Sequence, residues 1–130
     1  MNILIDSSVW IDYFRSGKQT GFLDSLIDKN LIATNSLILA ELIPALRAKN
    51  HSSLVRLLCN IRRFEINIDW NEVIDYSTKC IKTGINGIGV SDLLIVQNAK
   101  QNNLVICALD NHFRKMVSVL DFSIFTLPTT

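Results

Sequence analysis

The chain has 130 residues, of which 48% are hydrophobic, and a formal net charge of +1 at pH 7. This length and composition are typical of one globular domain, and they exclude a disordered chain and a strongly basic nucleic-acid-binding module. No membrane-spanning segment and no signal peptide is evident, so we expect a single cytoplasmic domain over residues 1–130 without a membrane partner.

The first half of the chain alternates short apolar runs with helical periodicity. We predict strands at 2–5 and 31–34, and helices starting at Ser7 or Ser8 and spanning about 19–29, 36–49 and 52–61. Asn35 or Ser36 is suitably placed to cap the third of these helices, which is strongly apolar and contains Pro44.

The second half continues the alternation. We predict strands at 64–68, 104–109 and 123–127, and helices at about 70–83, 92–101 and 113–117. Asp69 and Glu72 form a capping pattern for the first of these helices, and Ser91 is the predicted cap of the second. Strands that alternate with helices indicate an α/β fold with a central parallel sheet of about five strands and helices on both faces.

Asp6 is the most informative residue of this pattern. It directly follows Ile3, Leu4 and Ile5, an unbroken apolar run typical of a strand buried on both faces. A carboxylate in such a place is costly unless hydrogen bonds or a cation compensate it. Asp6 therefore either caps the next helix or holds a metal ion.

Three further acids are expected at the same edge of the sheet. Asp110 follows the fourth strand, Asp92 begins the helix before that strand, and Glu41 lies on the apolar helix after the second strand. Singly, each aspartate is equally well explained as a helix cap. Together, the four acids would repel one another unless a divalent cation lay between them. Oxygen ligands without histidine or cysteine favour Mg²⁺ or Mn²⁺, and a site of this kind suits phosphodiester hydrolysis.

Three segments carry a family resemblance. They read ILIDSSVWIDYF, SLILAELIPAL and GVSDLLIVQNAKQNNLVICALDNHF, and they resemble the PIN-domain family, in particular its VapC-type toxins. The resemblance implies a three-layer α/β/α sandwich with strand order 3-2-1-4-5. It also implies a Mg²⁺- or Mn²⁺-dependent endoribonuclease whose catalytic and metal-binding residues are Asp6, Glu41, Asp92 and Asp110. The implied partners are an RNA substrate, a second copy in a homodimer and a cognate antitoxin, which would lie in a groove formed by residues 36–49 and 54–61.

Five further residues are candidates for contacts with the substrate: Ser8, Arg15, Asn111, His112 and Arg114. Two positions depart from the family pattern. Ala108 stands where many members have a hydroxyl side chain, and His112 stands where many have another aspartate.

Two other functions remain open at this point. The same fold could bind RNA or protein without cleaving, a possibility that Ala108 slightly favours and the four acids oppose. A receiver-like phosphoacceptor also places acids at strand ends, but its acceptor would follow a middle strand, where Asp69 has the pattern of a cap. Cys59, Cys80 and Cys107 have no metal-binding spacing and are expected to be buried free thiols.

Overall fold

The computed structural model describes residues 2–128. Twelve elements follow one another along this part of the chain, seven of them helices. The strands are β1 (Ile3–Ile5), β2 (Ile32–Thr34), β3 (Arg62–Arg63), β4 (Val105–Cys107) and β5 (Ser123–Ile124). The helices are α1 (Ser7–Arg15), α2 (Leu23–Asp28), α3 (Ser36–Ala48), α4 (Ser52–Cys59), α5 (Trp70–Lys82), α6 (Val90–Asn102) and α7 (His112–Leu120).

The five strands form one parallel sheet in the order β3-β2-β1-β4-β5. Strand β1 lies at its centre, where Ile3 pairs with Ile32 on one side and Val105 on the other. Its three residues are all buried, as an apolar run between two layers of helices requires. The predicted order is confirmed, and it differs from the 2-1-3-4-5 order of receiver domains.

The helices pack in two groups, as expected for helical layers on the two faces of a sheet. Helix α3 contacts α1 and α4, while α5 contacts α6 and α7. Trp10 and Phe113 are the largest fully buried side chains of the core. None of the described helices has the length and hydropathy needed to cross a membrane.

The predicted strand at 64–68 is wrong. Strand β3 is confined to Arg62–Arg63, and the segment leaves the sheet after the Phe64 N–H, which still donates to the Thr34 carbonyl of β2. The reason is a buried pair of amides. Asn98 on α6 donates to the Glu65 carbonyl at 3.1 Å and accepts from Asn35 at 3.0 Å, so side chains occupy the backbone groups that a strand partner would use.

The predicted helix caps are confirmed at two positions and wrong at two others. Asn35 caps α3 by accepting from the Ile38 N–H, and Asp69 caps α5 by accepting from the Glu72 N–H. Helix α1 is capped by Asp6 and not by a serine, and α6 begins after Gly89, so Ser91 lies inside it.

Several element bounds also differ from prediction. Helix α2 is only six residues long, and α7 extends to Leu120. The cysteine prediction is correct for Cys80 and Cys107, which are buried and free, but wrong for Cys59, which is exposed at the end of α4.

Candidate active site

Asp6 lies at the carboxyl end of the central strand, where only 4% of its surface is exposed. Its backbone N–H donates to the Cys107 carbonyl at 2.9 Å, which fixes it against β4. Its Oδ2 accepts from both the Ser8 backbone N–H, at 3.2 Å, and the Ser8 hydroxyl, at 2.7 Å. Both bonds use the same oxygen, Oδ2.

Burial and hydrogen bonding act in opposite directions on Asp6. Its pKa is raised, chiefly because burial disfavours the charged carboxylate and further because Asp110 is negatively charged. The two bonds from Ser8, and to a smaller extent one from the Ser7 backbone, favour the charged form and oppose this rise. Asp6 is thus a helix cap, but the cap leaves the cost of its buried charge only partly compensated.

Ser8 connects the ends of the two central strands. Besides donating to Asp6, its hydroxyl accepts from the Leu109 N–H at 3.0 Å, just after β4. The hydroxyl therefore holds the acid of β1 beside the turn that contains Asp110. Ala108, half-buried in the same turn, brings no hydroxyl of its own.

Asp92 and Asp110 both contact His112. The Asp110 Oδ1 accepts from the backbone N–H of His112 at 3.1 Å, and the Asp92 Oδ2 lies 3.1 Å from its ring nitrogen Nδ1. The pKa of Asp92 is raised, mainly by burial, with a further contribution from the charge of Asp6, while His112 acts to lower it. Acids from α6 and from the turn before α7 are thus brought together through one residue.

Glu41 provides the evidence that all four acids converge. Its pKa is raised first by partial burial of the carboxylate and then by the charges of three other acids, Asp6, Asp92 and Asp110. The residue as a whole is exposed on α3, and the effect of the three charges shows that its carboxylate lies near the other acids. The four predicted acids therefore lie within electrostatic range of one another, on four separate segments.

The cluster suits a divalent cation in ligand type and charge. Carboxylate oxygens that raise one another's pKa are stabilised when a hard cation neutralises their repulsion. The cluster is open, however, because no three His, Cys, Asp or Glu side chains of residues 2–128 are arranged to hold an ion as they stand. An ion would have to draw the more exposed side chains inward.

The other predicted contact residues lie around the cluster without joining it. Arg15, Asn111 and Arg114 are exposed, and neither arginine forms an ion pair, since His112 with Asp92 is the one such pair within residues 2–128. These positions leave their cationic and amide groups free to meet a ligand from solvent.

A groove begins at Glu41 and runs between α1 and α3. It encloses about 260 Å³, and its lining is mainly apolar, with cationic groups at its margins. It is lined by Ile11, Phe14, Arg15, Glu41, Leu42, Ala45, Leu46, Lys49, His51 and Leu54. The sequence predicted the α3 wall and Leu54 but missed the α1 wall, although the apolar spacing of Ile11 and Phe14 on one helix could have indicated it.

Comparison with known proteins gives one family and a set of similar folds. The PIN domain family matches residues 3–118. VapBC2 from Rickettsia felis, solved with a DNA fragment from its promoter, is similar with a TM-score of 0.75 and 20% identity over 96% of this chain and 98% of that one. VapBC-1 from nontypeable Haemophilus influenzae gives a TM-score of 0.72 and 16% identity over 96% and 97% of the two chains.

A third structure, VapC20 from Mycobacterium tuberculosis, is described as a toxin that cleaves the sarcin-ricin loop. It gives a TM-score of 0.61 and 15% identity over 87% of this chain and 93% of that one. A search of curated proteins found no match.

Proposed function

Because the chain belongs to the PIN domain family, we propose that it is a divalent-metal-dependent endoribonuclease and the toxin of a toxin–antitoxin pair. The observation that supports this best is that the charges of Asp6, Asp92 and Asp110 all raise the pKa of Glu41. Proteins with this fold, solved as VapBC complexes or described as an RNA-cleaving toxin, make the same function the first to test.

The four carboxylates of Asp6, Glu41, Asp92 and Asp110 would hold Mg²⁺ or Mn²⁺. When bound, such an ion supplies an activated water and stabilises the charge that develops as the phosphodiester breaks. The role of the protein's own residues is to orient the carboxylates and the RNA. Ser8 holds Oδ2 of Asp6, and Glu41 would add its carboxylate from the exposed surface of α3. Arg15, Asn111 and Arg114 would contact the RNA backbone, where phosphate charge favours cationic groups.

The decisive experiment is cleavage of mixed cellular RNA by the purified, antitoxin-free protein. Cleavage is expected with Mg²⁺ or Mn²⁺, is expected to stop in EDTA, and should be lost in Asp6→Asn. Asp28→Asn is the matched control, since Asp28 is an exposed acid at the end of α2. Metal-dependent cleavage that survives Asp6→Asn would refute the assignment of the site.

A binding module that does not cleave is the second candidate. Ala108, which removes a hydroxyl beside Asp110, and the open arrangement of the acids favour it. Binding of RNA without cleavage under every metal condition would support this alternative over a nuclease.

The groove between α1 and α3 is the proposed antitoxin site. Its apolar lining suits a helix of the partner, and because it begins at Glu41, an occupant would reach the acid cluster. Ala45→Arg should weaken the complex with co-expressed antitoxin at least about tenfold, because the new side chain fills the groove and places a charge among apolar groups. Ala48→Arg, at an exposed alanine of the same helix outside the groove, should not.

Homodimerisation is proposed through α5. Trp70, Ile74 and Ile81 are more than half exposed and share one side of this helix. Two copies packed antiparallel about a two-fold axis through this side of α5 would pair apolar with apolar groups.

Light scattering after gel filtration tests this interface. The protein is expected at twice its chain mass, and Ile74→Glu should yield monomers because it places a charge in the apolar contact. Ser53→Glu, on the exposed side of α4, is the control and should remain dimeric. A dimer that persists in Ile74→Glu would place the contact elsewhere.

A further inference from the structure

Within residues 2–128, His112 is the one residue that hydrogen-bonds two of the four acids through different groups. Its backbone N–H donates to Asp110, and its imidazole Nδ1 lies 3.1 Å from the Oδ2 of Asp92. Asp92 lies in the first turn of α6, well before β4 in the chain, whereas Asp110 lies in the turn just after β4, so neither fixes the position of the other. His112 begins α7 and reaches back to the first turn of α6.

The chemistry of this contact fixes the direction of the hydrogen bond. An ionised carboxylate only accepts, so the proton lies on Nδ1 and His112 is the donor. The His112 side chain is 42% exposed and that of Asp92 only 19%, so the ring lies on the solvent side of the acid. The ring thus holds in place a carboxylate that the charge of Asp6 would otherwise repel.

We propose that His112 is a positioning residue that holds the Asp92 carboxylate in the acid cluster. The inference rests on the proposed function, because it assigns Asp92 a place beside a bound ion. Where many PIN domains have another acid, this chain has a hydrogen-bond donor that orients an acid without adding negative charge. Partners that hydrogen-bond a metal-binding side chain typically change metal affinity 10- to 100-fold when removed.

Two substitutions of His112 distinguish the effect of its hydrogen bond to Asp92 from the effect of its imidazole ring. In His112→Asn, the amide nitrogen takes nearly the position of Nδ1 and keeps a donor to Asp92, whereas His112→Ala removes it. Affinity for Mn²⁺, measured by titration calorimetry without RNA, should fall about tenfold or more in His112→Ala and stay within about threefold of the unmodified protein in His112→Asn. Equal losses in both variants, or no loss in either, would overturn the proposal.

A second measurement needs no metal ion. Long-range proton–nitrogen NMR of neutral His112 should show the proton on Nδ1, and the preference should disappear in Asp92→Ala. A proton on Nε2 in the unmodified protein would overturn the positioning role. Asp6→Asn, titrated with Mn²⁺ in parallel, tests the proposed function separately, because undiminished binding there would refute the metal site while leaving the NMR result to decide the role of His112.

Discussion

Asp6 and Glu41 lie in the same acid cluster but are held in opposite ways. Asp6 ends the central strand, is buried, and receives two hydrogen bonds from Ser8. Glu41 lies on an exposed part of α3, and within residues 2–128 it has no hydrogen-bond partner. Both have a raised pKa, but only Asp6 has its position fixed by the sheet.

This difference indicates how a site of like charges survives folding. The sheet fixes one acid where a cap compensates part of its charge, and the remaining acids stay closer to water, which screens their repulsion. In the proposed metal site, the fixed acid would define where a cation binds, and the exposed acids would move toward that cation. Such a division also explains why the described side chains form no closed metal site.

The largest expected effect is on RNA cleavage, when the negative charge of Asp6 or of Glu41 is removed. Asp6→Asn should lower the initial rate of RNA cleavage at least about 100-fold, because a direct ligand should matter no less than the partners that orient one. Glu41→Gln should cost only about tenfold, since an exposed side chain on a helix is more easily replaced by water. Fluorescent RNA cleavage measures both. Glu41→Gln rates as low as those of Asp6→Asn would contradict the contrast between a fixed and a mobile acid.

Substitution of Ser8 tests whether its hydroxyl group holds Asp6 in place. In Ser8→Ala, Asp6 loses its 2.7 Å bond and the Leu109 N–H loses its acceptor. Mn²⁺ affinity should fall about tenfold, and the free energy of unfolding should fall by about 1–2 kcal/mol. Ser8→Thr keeps the hydroxyl and should stay close to the unmodified protein. Unchanged Mn²⁺ affinity in Ser8→Ala would mean that the strand alone positions Asp6.

Local patterns predicted the order of the elements, and the family resemblance implied the strand order, which the structure confirms. The rule that parallel strands end at one edge predicted that the four acids lie together, while their role in a metal site stays a prediction. The sequence did not predict how the acids are held. The Ser8 bond to Leu109 and the His112 bond to Asp92 join residues 101 and 20 positions apart, which no local pattern encodes. The strand predicted at 64–68 failed for the same reason. Its apolar alternation is strand-like, but Asn98, a distant amide, takes its carbonyl groups.

The smallest expected effect is the pH dependence of stability without metal. Asp6, Glu41 and Asp92 all have a pKa raised above their ordinary values, which are 3.8 for aspartate and 4.5 for glutamate. Above those values the folded state binds more protons than the unfolded state, so the free energy of unfolding must decrease as pH rises through the window up to the raised pKa values. Urea unfolding in EDTA should therefore show the protein to be more stable at about pH 5 than at about pH 7 as far as these groups contribute.

Substitutions show which acids cause this slope, the decrease of the free energy of unfolding with rising pH. Asp6→Asn should flatten the decrease more than Glu41→Gln, because the cost of an ionised carboxylate is greater in the buried position than in the exposed one. Saturating Mg²⁺ should flatten it in the unmodified protein, since a bound cation stabilises the charged forms. Asp28→Asn removes an exposed acid outside the cluster and should leave the slope unchanged. A slope that Glu41→Gln flattens more than Asp6→Asn would show that the exposed acid, and not the one at the strand end, bears most of the unrelieved charge.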